Sequence, residues 1–235
     1  MKDQEILVVV PARGGSKGIP LKNLSTVGGE SLISLVAKVI NQLPMAHKAI
    51  VSTDHKDIAD EAVRVGLEVP FVRPVELSGD RISDVDVLTH ALKEMERSGR
   101  AYNWIVMLQP TSPLRKVQHV IDTINKLLTC KYDSVLTVSE TDSKSHPLKQ
   151  LRLESERVRY FDDAGKAIMA RQQLETLFHR NGVAYGMTRE CLLDQKVVIG
   201  NTCGSVLIHE PMISIDTPLD LAYANWLYAN KENIN

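Results

Sequence analysis

The sequence predicts an α/β fold in which helices cover both faces of a mostly parallel sheet. Two observations carry this prediction. Short apolar runs rich in β-branched residues alternate with longer segments of helical periodicity along most of the chain. The 235 residues, 43% hydrophobic and 24% charged, also suit one globular domain of residues 1–235 better than two.

The apolar runs are expected to be strands buried on both faces, because their hydrophobicity is nearly continuous. They lie at residues 6–10, 49–52, 69–72, 104–108 and 134–138. Apolar residues spaced three to four apart predict crossover helices at residues 32–43, 58–65, 85–95 and 117–128. Two further strands at residues 182–187 and 205–208 and a closing helix at residues 217–229 complete the pattern.

The alternation breaks at about residues 143–180, which are interpreted as a small inserted arm. The stretches LKQLRLE and VRYFDD flank a polar segment around residues 154–156, a pattern typical of a hairpin. A helix-capable run follows as far as Arg171.

Charge and cysteine content exclude several classes of protein. Lys and Arg number 28 against 29 Asp and Glu, so a net charge of −1 provides no general field for binding nucleic acid. Three widely spaced cysteines favour a reducing, cytoplasmic location. The first apolar run is too short for a membrane span or a signal peptide, so no membrane association is expected.

The segment PARGGSKGIPLKN at residues 11–23 follows the first predicted strand and is the main candidate binding element. It places three glycines and the cations Arg13, Lys17 and Lys22 within ten residues. Glycines let backbone N–H groups approach phosphate oxygens, and the cations neutralise a pyrophosphate leaving group. The order matches neither GxGxxG nor GxxxxGK followed by Ser or Thr. The alternative is a flexible turn with solvated basic side chains.

Five blocks along the chain resemble the acylneuraminate cytidylyltransferase family. They are PARGGSKGIPLKN, STD at residues 52–54, RPVELSGD at 73–80, LQPTSPLR at 108–115 and RQQLETLFHRNG at 171–182. The resemblance implies a Rossmann-like nucleotidyltransferase fold with CTP across the carboxyl ends of the strands, where ligands of open parallel sheets lie. It also implies transfer of CMP from CTP to the anomeric hydroxyl of N-acetylneuraminic acid, with release of pyrophosphate.

The resemblance assigns roles to residues in these blocks. Arg13, Lys17 and Asp216 are the expected catalytic residues. The nucleotide-binding set is Ala12, Arg13, Gly14, Gly15, Ser16, Lys22, Asn23, Arg73, Asp80 and Ser83. Gln109 is expected to bind the sugar, although an amide at a strand end can simply cap a turn, and Arg73 alone could be a surface charge.

The arm carries the remaining sugar-binding candidates, which are Lys149, Arg171, Gln172, Arg180 and Asn181. Arginine presents paired donors to a planar carboxylate, and a sialic acid carries one beside its anomeric hydroxyl. In the family this arm makes a homodimer and reaches the partner's active site, so a homodimer is expected. The alternative is a polar interaction surface without contact to substrate.

Asp216, in the segment SIDTPLDL, is the candidate ligand for Mg²⁺, with Mn²⁺ as a possible substitute. The family usually has two aspartates here, separated by one residue, and Ser214 replaces the first of them. A neutral hydroxyl is a weaker metal ligand, so an altered metal preference is expected. Asp216 could instead cap the last helix, a role also open to Thr217.

Two competing functions remain open from the sequence. One is CMP transfer to a related acid sugar, such as legionaminic, pseudaminic or 3-deoxy-octulosonic acid. Residues around Ser83, Asp84, Gln109 and the arm would decide which acyl groups fit. The other is a non-catalytic nucleotide-binding protein, which the replacement by Ser214 keeps open.

Overall fold

The computed structural model describes residues 6–45, 47–97 and 99–230, and these residues form an α/β fold around a six-stranded sheet. The strands are β1 Ile6–Pro11, β2 Thr26–Val27, β3 Glu30–Ser31, β4 Lys48–Ser52, β5 Trp104–Met107, β6 Ser134–Glu140, β7 Leu151–Glu154, β8 Arg157–Tyr160, β9 Phe178–Thr188 and β10 Cys203–Leu207. The helices are α1 Leu32–Ile40, α2 Lys56–Arg64, α3 Asp84–Glu96, α4 Val117–Thr129 and α5 Pro218–Ala229.

The order of strands in the large sheet is β10-β6-β9-β5-β1-β4. β1 pairs in parallel with β4 and β5, and β10 pairs in parallel with β6. β9 runs antiparallel to both of its neighbours, β5 and β6. The prediction of a mostly parallel sheet is confirmed, with β9 as an antiparallel strand in its middle.

Helices cover both faces of this sheet, as predicted. Alternate residues of β1 enter opposite cores: Val8 packs with α1, α2 and α4, whereas Val9 packs with α3. Both side chains are fully buried. This two-sided burial explains why the first strand reads as an unbroken apolar run. Within the described part of the chain, no helix is both long enough and apolar enough to cross a bilayer.

Two predicted elements are wrong in detail. The apolar stretch at residues 69–72 is not a strand but touches the sheet only through isolated bridges from Glu68 to Ile50 and from Val72 to Thr53. Pro70 lacks the N–H that a ladder requires, and Val72 is 76% exposed. The helix-capable run of the arm forms only the short 3₁₀ turns Asp163–Ala167 and Arg171–Gln173, because it has almost no buried face to pack.

The arm contains the predicted hairpin, formed by β7 and β8. These two strands pair only with each other and all eight of their residues are exposed. β9 leaves the arm through the exposed residues Phe178, His179 and Arg180 and becomes buried from Asn181 onward. β6 therefore leads into the arm, and β9, which pairs with it there, leads back to the centre of the sheet.

Candidate active site

A cavity of about 530 Å³ opens beside the carboxyl ends of β1 and β5. Its walls come from the glycine-rich turn after β1, the segment that leads into α3, the loop after β5 and the segment before α5. Predicted site residues that line it are Arg13, Ser16, Lys17, Lys22, Asn23, Arg73, Asp80, Gln109 and Asp216. The fold thus brings together side chains from four separate sequence blocks.

Asp80 bridges two cations of the glycine-rich turn. One carboxylate oxygen lies 2.9 Å from Arg13 Nη1 and the other lies 2.5 Å from Lys17 Nζ. The hydrogen bond from Lys17, with a further contribution from Arg13, holds the pKa of Asp80 below its usual range. Arg13 and Lys17 therefore both bind the carboxylate of Asp80, and phosphate oxygens are chemically suited to replace that carboxylate.

Lys22 and Asp216 connect the beginning of the chain to its last part. Lys22 Nζ donates a 2.7 Å hydrogen bond to Asp216 Oδ1. The lysine side chain is only 15% exposed, whereas that of Asp216 is 73% exposed. Gly18 lies against the same segment, since a Cβ at this position would come within 2.2 Å of the backbone oxygen of Asp216. The turn and the acidic segment are in direct backbone contact.

The cap of α5 is made by Thr217, which leaves the Asp216 carboxylate free for other partners. Thr217 Oγ1 accepts the N–H of Asp220, and the Asp220 carboxylate accepts the N–H groups of Thr217 and Asp216. This capping box satisfies the helix start without the side chain of Asp216. Of the two roles that the sequence leaves open for Asp216, the cap is therefore filled by another residue.

The backbone of the glycine-rich turn is fixed by neighbouring groups. Gly14 N–H donates a 2.9 Å hydrogen bond to Asp54 of the STD block, so this amide is already occupied. Asn23 Nδ2 donates to the carbonyl of Arg13. Ala12 is buried beneath the turn, and Gly15 has nothing within 4 Å of the position of a Cβ. Gly15 therefore faces open space, whereas Gly14 and Ala12 support the turn from behind.

Arg73 lines the cavity although it is only 3% exposed. Its Nη2 donates a 3.0 Å hydrogen bond to the carbonyl of Ser52, and its Nε is buried without a hydrogen-bond partner among the described residues. Burial lowers the pKa of Arg73, and the negative charge of Asp54 partly offsets this effect. A buried guanidinium with an unused donor is suited to bind an oxygen of a ligand.

The side-chain amide of Gln109 reaches the cavity beside Gly182. Gly182 has a φ of +75°, and a Cβ there would lie 2.9 Å from both Gln109 Oε1 and Ser112 Oγ. Both the left-handed backbone and the close approach require glycine. Among the described residues Gln109 has no side-chain hydrogen bond, so the amide does not cap the turn and both of its ends remain usable by a ligand.

Arg115 holds together the backbone around Gln109 and Gly182, and the sequence interpretation missed this residue. Its Nε donates a 2.5 Å hydrogen bond to the carbonyl of Val183, and its Nη2 donates a 2.5 Å bond to the carbonyl of Gln109. Complete burial lowers its pKa to about 9. The signal in the sequence was its place at the end of the LQPTSPLR block, which had been interpreted only through Gln109.

The other predicted residues lie outside the cavity of the single chain. Ser83 caps α3 by accepting the N–H of Asp86. Asn181 is buried in the sheet and is hydrogen-bonded to Thr137 and Ser139. Lys149 and Arg180 are exposed, and Arg171 and Gln172 line a separate hollow of about 620 Å³ at the base of the arm. A single chain does not bring the arm residues Lys149, Arg171 and Gln172 to the cavity.

The donors near Asp216 suit a hard cation but only in part. Ser214 and Asp216 both line the cavity and both offer oxygen ligands. Among the described residues no group of three or more His, Cys, Asp or Glu is arranged to hold a metal ion. Magnesium commonly takes only one or two carboxylates and completes its six ligands with phosphate and water. The residues therefore fit Mg²⁺ bound together with a triphosphate.

The fold and this cationic cavity define a nucleotidyltransferase. The structure of a CMP:2-keto-3-deoxy-manno-octonic acid synthetase complexed with CTP shares the fold, with a TM-score of 0.70 and 18% identity over 97% of this chain and 99% of that one. The sequence model of the cytidylyltransferase family matches residues 7–214, and the chain belongs to that family.

Two relatives with assigned functions cover nearly the whole chain. A CMP-N,N'-diacetyllegionaminic acid synthase of Legionella pneumophila is 30% identical over 230 residues, which are 92% of this chain and 93% of that protein. An N-acylneuraminate cytidylyltransferase of Escherichia coli is 27% identical over 222 residues, 94% of this chain and 51% of that protein. These similarities agree with the family resemblance of the five sequence blocks.

Proposed function

We propose that this protein transfers CMP from CTP to the anomeric hydroxyl of a nine-carbon α-keto sugar acid and releases pyrophosphate. The observation that carries the proposal is the single cavity in which the glycine-rich turn, with Arg13, Lys17 and Lys22, meets Asp216. That arrangement offers cations for a triphosphate and, in contact with one of them, a carboxylate for its counter-ion within one cavity.

The proposed step is an in-line displacement at the α-phosphorus of CTP. A bond forms from the anomeric oxygen to the α-phosphorus while the hydroxyl proton passes to solvent, and the bond from that phosphorus to the bridging oxygen breaks, so that this oxygen leaves with the pyrophosphate. Arg13 and Lys17, released from Asp80, stabilise the charge on the departing pyrophosphate. Mg²⁺ held by Asp216, with Ser214 beside it, would neutralise phosphate charge and align the triphosphate.

The buried Arg73 and the partly buried Gln109 position the substrates in this proposal. The unused Nε of Arg73 is available for an oxygen of the nucleotide, and the free amide of Gln109 is available for the sugar. Arg73 donates to the carbonyl of Ser52 at the end of β4, and Gln109 lies just after β5, so both side chains are at the carboxyl edge of the sheet and can hold the two reacting groups close together.

We propose that residues 143–180 are a dimerisation arm. Leu153, Val158 and Phe161 on and next to the hairpin are 70%, 58% and 58% exposed, which is unusual for large apolar side chains and typical of an interface. A second copy covering the hairpin would allow Lys149 and Arg171 to approach the partner's cavity, where they would bind the sugar carboxylate.

Two kinds of sugar acid are candidates for the substrate. The five sequence blocks favour N-acetylneuraminic acid, whereas the relative from Legionella pneumophila favours a diacylamino sugar of the legionaminic type. Turnover of CTP with a panel of sugar acids, including pseudaminic and 3-deoxy-octulosonic acid, and with Mg²⁺ or Mn²⁺, decides between them. Nucleotide binding without sugar-dependent pyrophosphate release from any of these acids would instead indicate a non-catalytic nucleotide-binding protein.

Replacing Lys17 or Arg13 tests the catalytic role of the turn. Lys17→Ala or Arg13→Ala is expected to lower kcat for pyrophosphate release by about 10²- to 10³-fold, as for the loss of one preorganised donor to a developing anion. Lys38→Ala is the control, because Lys38 lies on α1, does not line the cavity and forms an ion pair with Glu30 of β3. Undiminished pyrophosphate release by both site variants would refute the assigned role.

A further inference from the structure

Asp84, the first residue of α3, is a carboxylate of the cavity that no protein cation binds directly. Of the three carboxylates that line the cavity, Asp80 pairs with Arg13 and Lys17, and Asp216 pairs with Lys22. Within the described residues, Asp84 has neither an ion pair within 4.0 Å nor a side-chain hydrogen bond. Its oxygens are therefore open to a ligand.

The surroundings of Asp84 disfavour an ionised carboxylate that has no hydrogen-bond donor. Burial raises the pKa of Asp84, and the positive charge of Arg180 on β9 opposes this effect. Tyr185, also on β9 and only 6% exposed, belongs to the same group, since Asp84 raises its pKa and Arg180 lowers it. A partly desolvated carboxylate without donors destabilises the fold, so its presence in a cavity points to a function.

The position of Asp84 separates it from the phosphate end of the cavity. The positive charge that acts on Asp84 is that of Arg180. In contrast, Asp80 and Asp216 both contact cations of the glycine-rich turn. Arg180 precedes Asn181 and Gly182 on β9, and Gly182 lies against the amide of Gln109. Asp84 and Gln109 both line the cavity, and β9 lies behind this part of it, next to the side chain of Gln109.

We propose that Asp84 is a specificity-determining residue that accepts a hydrogen bond from a hydroxyl or amide N–H group of the bound sugar acid. The inference rests on the proposed function and deepens it by naming the chemistry that the sugar must present. A carboxylate accepts such bonds and offers none when ionised, so a sugar acid that lacks the donor leaves a buried charge without a partner. Ribose hydroxyls of the nucleotide have the same chemistry, and the experiment distinguishes the two sources.

The test combines substitutions in the enzyme with changes in the sugar, as in a double-mutant cycle. Asp84→Ala, Asp84→Asn and the unchanged protein are assayed with a sugar acid that turns over and with analogues in which each hydroxyl or amide N–H is removed in turn. For one analogue, the loss should reduce kcat/KM of the unchanged protein by about 10- to 100-fold, the usual effect of removing a hydrogen bond to a charged group. The same analogue should cost Asp84→Ala less than about threefold, because its acceptor is already absent.

Controls separate this role from folding and from nucleotide binding. Asp86→Asn is the matched variant, because Asp86 lies one half-turn further along α3, is exposed and does not line the cavity. Asp84→Ala should unfold at a temperature no lower than that of the unchanged protein, since it removes a desolvated charge. If Asp84→Ala does not fold, Asp84→Asn keeps the shape of the side chain and a neutral acceptor, so the same analogue should cost this variant less than it costs the unchanged protein.

The outcomes are distinct. Equal losses for every analogue in the unchanged protein and in Asp84→Ala would overturn the inference, as would a raised KM for CTP with an unaltered sugar preference, which would assign Asp84 to the ribose. No turnover by the unchanged protein with any sugar acid would refute the proposed function itself. The failure of the specificity inference and the failure of the proposed function are therefore separate results.

Discussion

Gly18 offers a sharp test of how closely the cationic turn and the acidic segment must fit. In Gly18→Ala the new Cβ would lie 2.2 Å from the backbone oxygen of Asp216, whereas real Cβ contacts stay beyond 3.0 Å, so the two segments must separate by at least about 0.8 Å (3.0 − 2.2). The obstacle is backbone, which cannot rotate away as a side chain can.

This displacement should reduce both stability and activity. Overpacking of this kind costs about 1 to 3 kcal/mol, which corresponds to a decrease in Tm of about 2 to 12 °C for a chain of this size. A shift approaching 1 Å between Lys22 and Asp216 should lower kcat/KM by about 10²-fold, because the proposed phosphate-binding cation and the proposed metal ligand lose their alignment.

Thermal unfolding followed by circular dichroism and a pyrophosphate-release assay measure the two effects of Gly18→Ala. Gly15→Ala is the matched control for stability, since it makes the same substitution in the same turn where nothing lies within 4 Å of the Cβ. Its Tm should stay within about 1 °C of the unchanged protein. The reasoning is refuted if Gly18→Ala unfolds at the same temperature as Gly15→Ala and keeps its activity.

Two further predictions concern charged groups outside the turn. Arg115→Met leaves the carbonyls of Gln109 and Val183 without their donors and should lower the free energy of unfolding by about 3 kcal/mol. The control Arg97→Met removes an exposed ion pair and should cost less than about 1 kcal/mol. Equal losses of the two variants in urea unfolding would contradict the assigned role of Arg115. The hydrogen bond from Lys116 lowers the pKa of Glu210 from 4.5 to about 2, so ionised Glu210 stabilises the fold above pH 4.5, and this contribution disappears as the pH falls towards 2. Because the side chain of Glu210 is 34% exposed and solvent screens its ion pair, Glu210→Gln should lose under about 1 kcal/mol at pH 7 and nothing near pH 2, and a difference that grows on acidification would exclude this explanation.

The sequence predicted the sheet well where burial alone decides structure. The apolar run that became β1 is buried on both faces, as an interior strand of a sheet with helices on both sides must be. It failed at residues 69–72, where hydrophobicity suggested a strand but Pro70 prevented a ladder. It also could not give the direction of β9, because the direction depends on how the arm returns to the sheet rather than on the residues of the strand itself.

The candidate site was predictable to the extent that local motifs carry it. The glycine-rich turn was singled out because three cations lie among its glycines, and Asp216 because of its place before the closing helix in a block that resembles the family; the structure places both at one cavity. Arg115 was missed, since a fully buried arginine bonded to backbone carbonyls is indistinguishable in sequence from a surface arginine. The state of Asp84 likewise depends on burial and on Arg180, which lies far away in the chain.

The hydrogen bond between Lys22 and Asp216 spans 194 positions of the sequence and has a consequence for synthesis. A nascent chain displays its cationic turn long before the ribosome adds the acidic segment, and β6, β9 and β10 must be made in between. Nucleotide-binding competence should therefore arise only after the segment around Asp216 has been made and has docked against the glycine-rich turn.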